Sequence, residues 1–131
     1  MQFNTLSPIY LQIAQYMHDL ILNRVWNDGE RIPSVRDMAM ELEVNPNTVI
    51  RTYALLQEEG TLENQRGIGY FTAKDARSLV LKKRRERFFK KEVPALFLTM
   101  ETLGLTMEDL QVYADQLKQK GENHEDKSQE E

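Results

Sequence analysis

Hydrophobic residues recur at helical spacing near the start of the chain. Ile9, Ile13, Met17, Leu20 and Ile21 share one face through about Val25, the rhythm of an amphipathic helix. Ser7 and Pro8 mark its start, a side-chain cap followed by proline at the first helical position. Asn27-Asp28-Gly29 breaks it. A short extended link ends in Ile32-Pro33, and Ser34 then caps a second helix, with Asp37 as the reciprocal partner of a capping box. Val35, Met38, Ala39 and Leu42 form its buried face. Glu43-Val44-Asn45 leaves room only for a tight turn. A third helix follows, capped by Asn45 with Pro46 at its first position, and it stops at Gly60. Its inward residues are Val49, Tyr53 and Leu56; Asn47, Ile50, Arg51 and Ala54 remain on the outer face.

The rhythm then shortens. Thr61 to Gln65 and Tyr70 to Ala73 read as two short strands, joined by the turn Arg66-Gly67-Ile68-Gly69. Beyond Lys74 the helical period returns. Phe89, Val93, Leu96, Met100 and Leu103 make a stripe at 4-3-4-3 spacing, the seam of a helix that packs on another helix. Pro94 lies inside it and predicts a kink or local break. Gly104 ends this helix, Thr106 and Asp109 form a further capping box, and Leu110, Tyr113 and Leu117 mark a last helix ending near Lys120. From Gly121 onward the residues have nothing to bury, which predicts disorder. The expected fold is mainly α (α+β): a winged helix-turn-helix domain over 1–75, a helical dimerisation and effector module over 76–120, and a disordered acidic tail over 121–131.

Charge changes this picture only in its distribution. The net charge of −4 speaks against a polyanionic partner. Residues 76–91, however, hold 8 Lys/Arg against Glu86 alone, while residues 92–131 hold 3 Lys against 10 Asp/Glu. Phosphates feel charge within a Debye length of about 8–10 Å, so a basic patch can act within an acidic total. The run from Lys82 to Lys91 has three readings: a solvated helix face, a phosphate-contacting surface, or a partner for the acidic C-terminal segment. With no cysteine, disulfides, thiolate metal sites and cysteine nucleophiles are excluded. No apolar run approaches the roughly 20 residues of a membrane span, and no leader opens the chain; both fit a cytoplasmic protein. His18 and His124 are too separated for a metal site, and no Ser/His/Asp grouping or paired acid suggests an enzyme. No cofactor is expected.

Helix, helix, tight turn, helix, β-hairpin is an order suited to DNA. A helix in the major groove meets base edges at its N-terminal end, where Asn47 and Thr48 are short and polar. Glycines at the hairpin tip let backbone approach a phosphate or enter the minor groove, carrying Arg66 with it.

Three separated motifs make a resemblance specific. They are Ile32-Pro33-Ser34-Val35-Arg36-Asp37-Met38-Ala39, then Val44 through Tyr53 with Leu56 to Gly60, then Arg66-Gly67-Ile68-Gly69-Tyr70-Phe71. Together with Pro8-Ile9-Tyr10-Leu11-Gln12-Ile13, they resemble the GntR family of bacterial regulators over roughly residues 5–74. The short C-terminal part is similar to the YtrA-like branch, in which a two-helix module serves mainly for dimerisation. The resemblance implies DNA contacts from Ser34 and Arg36 at the start of the second helix. It implies them also from Asn45, Asn47 and Thr48 at the start of the recognition helix, and from Gly67 and Gly69 at the wing. Many family members carry arginine where this chain has Pro46 and Ile50. Arg51 is one position on, about 100° around the helix; it reads as a DNA contact or as the partner of a nearby glutamate.

The leading function is a homodimeric repressor that binds a palindromic double-stranded DNA operator through helix 45–59 and wing 61–73. The dimer interface is expected at Phe89, Val93, Leu96, Met100, Leu103, Leu110, Tyr113 and Leu117. A small-molecule effector of unidentified chemistry is compatible with the sequence, seated at the junction with the winged domain or between subunits. The competing reading is a winged-helix protein-interaction adaptor, which would expose an apolar patch where this chain has polar residues.

Overall fold

Eleven hydrophobic side chains drawn from four successive elements and one link make the main core: Ile13, Ala14, Met17, Ile32, Met38, Ala39, Leu42, Val49, Tyr53, Leu56 and Leu62. The computed structural model describes residues 1–129, with side-chain surroundings through Glu122. Three helices build this core: α1 (Ile9–Leu22), α2 (Val35–Leu42) and α3 (Pro46–Glu58). A hairpin of β1 (Leu62–Gln65) and β2 (Gly69–Thr72) closes it, with antiparallel register Leu62↔Thr72 and Gln65↔Gly69. The order is that of a winged helix-turn-helix.

Local chemistry sets each boundary. Pro8, not Ser7, is the cap residue of α1: its backbone is extended (φ −57°, ψ 143°), and its carbonyl accepts from Leu11 and Gln12. The expected Ser7 side-chain cap is not formed, and α1 has no side-chain cap; Gln12 Nε2 donates to the Ser7 and Asn4 carbonyls and so fixes the segment ahead of the helix. α1 stops three residues before Val25 because Arg24 turns left-handed (φ 59°). This returns Trp26 to the core, where it packs on both hydrophobic clusters. Ser34 Oγ accepts from the Asp37 N–H at 3.1 Å, the Ser34 half of the expected box. The turn between α2 and α3 is made by Glu43 in the left-handed region (φ 55°), which lets the Val44 N–H reach the Ala39 carbonyl.

Tyr53 fixes α3 against the link before α2. Its hydroxyl donates to the Pro33 carbonyl at 2.7 Å, and its ring meets Tyr70 edge-on at 4.9 Å. Burial, with Tyr70 beside it, raises its pKa above the ordinary tyrosine value. The link itself forms a third, short β element. Arg31 bridges Phe71, the Ile32 N–H donates to the Tyr70 carbonyl, and the Thr72 N–H donates to Glu30.

Two compact units result, Met1–Glu86 and Arg87–Glu131. The division falls within a long helix that opens at Ala76. The first part of that helix, α4 (Ala76–Arg87), buries Ala76 and Val80 with Ile21 and Ala73 in a second small core. Part of the basic run serves the same docking: Arg84 donates to Asp19 at 2.7 Å and to Gln15 at 3.1 Å, and Lys83 lies 3.6 Å from Glu59. Among the described residues, the partners of these two lie on α1 and at the end of α3.

His18 stands in this polar seam, 3.3 Å from Glu59. Burial lowers its pKa below 6.5, and the Glu59 carboxylate opposes that shift without overcoming it. The folded state therefore binds this proton less readily than the unfolded chain does. Its contribution is complete above the unfolded value near 6.5, and it is lost as pH falls through the window below that value. Urea melts at pH 7.5 and 5.0 should show wild type losing more stability on acidification than His18→Gln. Equal losses would remove His18 as the cause.

In the second unit the helix passes through a π turn (Phe88–Glu92) into α5 (Val93–Leu103). Pro94 explains the turn: it offers no N–H to the Lys90 carbonyl and its ring crowds that oxygen, so the backbone widens just before it. Gly104 closes α5 in the left-handed conformation (φ 67°). The Asp109 carboxylate accepts from the Thr106 N–H at 2.8 Å, the expected box at the start of α6 (Met107–Gln129). α6 continues past Gly121, where composition predicts disorder, to Gln129; residues 130 and 131 of that predicted tail lie outside the described residues. A glycine within a helix costs only about 1 kcal/mol against alanine, and the Glu, Lys and Gln around it are good helix formers. His124 lies beyond the residues whose side chains are described.

Candidate nucleic-acid interface

Asn45 caps α3 through its side chain, Oδ1 accepting from the Asn47 N–H at 2.9 Å, and Pro46 follows without an N–H to leave unpaired. This starts the helix abruptly at the surface. Asn47, Ile50, Arg51 and Ala54 are exposed along its outer face, as the period predicts, while Val49, Tyr53 and Leu56 are buried. Thr48 is half-buried. Ile50 is 52% exposed and is the one exposed large hydrophobic residue of α3.

Asn47, Thr48 and Arg51 line one open groove of about 380 Å³, whose other wall is Pro8, Ile9 and Tyr10 at the start of α1. Arg51 pairs with no carboxylate among the described residues. Its guanidinium lies 3.8 Å from the centre of the Tyr10 ring. Beneath it Thr52, fully buried, sits with Oγ1 2.9 Å from the Tyr10 carbonyl and 3.1 Å from that of Thr48. The single hydroxyl proton serves one of these at a time. Periodicity does not reveal this buried threonine, because a polar residue at an inward position carries no hydrophobic signal.

Ser34 and Arg36 stand at the start of α2. The Ser34 hydroxyl is engaged as a cap, and Arg36 is exposed on the first turn. Arg66 and Gly67 stand apart from them at the hairpin tip, both exposed. Gly67 has φ +80°, the left-handed region that makes glycine the suitable residue, with open space around it. Gly69 has φ +146°, and a Cβ there would meet the Arg31 guanidinium at 3.2 Å. Arg31 also donates to the Ile68 carbonyl at 2.7 Å. The guanidinium thus holds the tip of the wing from beneath, in a contact between residues too distant in sequence for a motif to show.

The residues expected at the interface therefore form three exposed groups: the α3 start with its groove, the first turn of α2, and the hairpin tip. Every one is polar, cationic or glycine. What they can do chemically is donate hydrogen bonds and offer positive charge to an anionic surface.

Comparison with known proteins agrees with this arrangement. The family model described as bacterial regulatory proteins, gntR family, matches residues 9–71. The chain is 35% identical over 109 residues to the HTH-type transcriptional regulator YhcF of Bacillus subtilis (strain 168), covering 83% of this chain and 88% of that one. It is 33% identical to the HTH-type transcriptional repressor YtrA of the same organism, covering 79% of each. Among solved structures, a GntR-family transcriptional regulator from Bacteroides thetaiotaomicron superposes with a TM-score of 0.74 at 39% identity. That match covers 86% of this chain and 98% of the other.

Proposed function

Since the chain belongs to the GntR family of bacterial regulatory proteins, on its short YtrA-like branch, we propose that it is a homodimeric repressor acting on a palindromic operator. That it is a transcriptional regulator with a DNA-binding helix-turn-helix domain follows from the family. The repressor role, the twofold dimer and the site residues are our reading. The observation that carries it is the outward face of α3, where Asn47, Thr48 and Arg51 are presented at the helix start with Ile50 as the lone exposed large hydrophobic residue. A helix enters the major groove by this end. Ser34 and Arg36 on α2, Asn45 at the cap, and Arg66, Gly67 and Gly69 on the wing complete the surface. A single winged helix reads only a few base pairs, and a twofold dimer doubles the contacts and matches operator symmetry. Similarity to the repressor YtrA supports the sign of regulation.

An adaptor would present a contiguous apolar patch on the outer face of α3, and Asn47 and Arg51 argue against one. For an effector, an open groove of about 550 Å³ at the junction of α1 with α4 offers Trp26, Arg24 and Arg77, a setting for an anionic ligand with an apolar part.

Titrating salt against binding to random-sequence duplex DNA tests the reading. Each neutralised phosphate contributes roughly −0.9 to the slope of log K against log salt. Four to six contacts per dimer would weaken binding by roughly two to three orders of magnitude for a fourfold rise in salt. A flat titration would favour the adaptor.

A further inference from the structure

Arg51 is the cation of the outer face of α3. An arginine on an exposed helix face normally samples many rotamers and loses that freedom on binding. Here its guanidinium carbon lies over the Tyr10 ring, 3.8 Å from the centroid, on the first turn of α1. The backbone that carries the ring is itself held. The Tyr10 carbonyl lies 2.9 Å from Thr52 Oγ1, one residue beyond Arg51, and α1 and α3 share the main core through Ile13, Met17, Val49 and Tyr53. The backbone beneath the ring is therefore anchored by buried contacts that do not depend on the stack.

We infer that Tyr10 is a positioning residue for DNA recognition: it preorganises Arg51 along the groove shared with Asn47 and Thr48, and so recruits α1 to the interface. Stacking covers a face of the guanidinium and leaves its in-plane N–H edges open. Those edges are the ones that pair bidentately with phosphate oxygens or with the O6 and N7 of guanine. Pro8, Ile9 and Tyr10 on one side and Asn47, Thr48 and Arg51 on the other line the same groove. The inference rests on the proposed reading of Arg51 as a DNA contact.

The test is a double-variant cycle on the full chain, using a duplex that the wild-type protein enriches from a random-sequence pool. Arg51→Ala should weaken binding about tenfold or more, the loss of a charge-assisted pair. Tyr10→Leu, which keeps apolar bulk and removes the ring, should weaken it roughly two- to fivefold, the range of an exposed cation–π contact. Tyr10→Phe should retain nearly full affinity, and Tyr10→Leu in the Arg51→Ala background should add nothing. The Arg51 Nε–H resonance, shifted upfield by the ring in wild type and Tyr10→Phe, should return to its ordinary position in Tyr10→Leu. Losses that simply multiply in the double variant, or a Tyr10→Leu protein with unchanged affinity beside a weakened Arg51→Ala, would overturn the inference and leave the DNA-contact reading standing. Unchanged affinity of Arg51→Ala itself would overturn both.

Discussion

Leu96→Glu is expected to convert the protein from dimer to monomer at micromolar concentration, and with that to abolish tight binding to a twofold operator. The reasoning begins with the second unit. Leu96 and Phe97 on α5 remain 44% and 47% exposed, and Leu103, Tyr113 and Leu117 are also exposed. Val93 and Leu110 are half-buried. Apolar side chains on α5 and α6, left uncovered by their own chain, fit the proposed association surface. Each such residue contributes roughly 1.5–3 kcal/mol when fully buried, so partial burial of several across a twofold axis suffices for a stable dimer. Met100, expected in this interface, is only 4% exposed; its surface is already used within the chain and is not available to a second copy. Phe89 also departs from the simple stripe, because the π turn widens the helix between it and Val93 and rotates the two faces relative to each other. A glutamate at position 96 would place one charge from each copy in the apolar seam, where burying an unpaired carboxylate is prohibitive. Glutamate is a good helix former, so circular dichroism should stay unchanged. Thr102→Glu, on the other side of α5, should leave the dimer intact. Light scattering decides: a Leu96→Glu protein that stays dimeric would move the interface elsewhere.

The sequence made the helices legible because their contacts are local or periodic. Val49, Tyr53 and Leu56 could be placed inward and Asn47, Ile50 and Arg51 outward from spacing alone. Asn45 and Ser34 announced their caps, and Gly60 its terminus. What stayed hidden depends on pairs distant in sequence or on backbone states without a residue signature. Arg31 under the wing tip and Tyr10 under Arg51 each require the fold to bring separated segments together. The left-handed turns at Arg24 and Glu43 are made by residues that seldom adopt them, so the early end of α1 was not readable. Pro94 signalled a disturbance, but whether the helix would kink, break or widen depended on the backbone before it. The tail is the converse case. A stretch without hydrophobic residues predicts disorder on burial grounds, while the Glu, Lys and Gln around Gly121 favour helix by propensity.

Arg36→Ala is expected to weaken operator binding by about 1–3 kcal/mol, the range for a lost charge-assisted contact to a phosphate or a base. Arg36 is exposed on the first turn of α2, beside a helix start whose cap is already satisfied by Ser34, so its removal should leave the domain's stability nearly unchanged. A thermal melt separates that outcome from unfolding. Two neighbouring substitutions on α3 then fix how the helix sits in the groove. Asn47 can exchange hydrogen bonds with base edges or phosphates, whereas Ile50, although exposed, can offer only apolar contact such as that with a thymine methyl. Asn47→Ala should therefore cost more affinity than Ile50→Ala, and its cost should depend on sequence if the contact is to a base. If it is to a phosphate, the loss should be uniform across sequences, with a salt slope shallower by about one. The reverse order, Ile50→Ala costing more, would mean that α3 is rotated so that its apolar edge faces the bases. Unchanged affinity for Arg36→Ala in an intact protein would remove the start of α2 from the DNA surface and leave α3 and the wing to carry recognition without it.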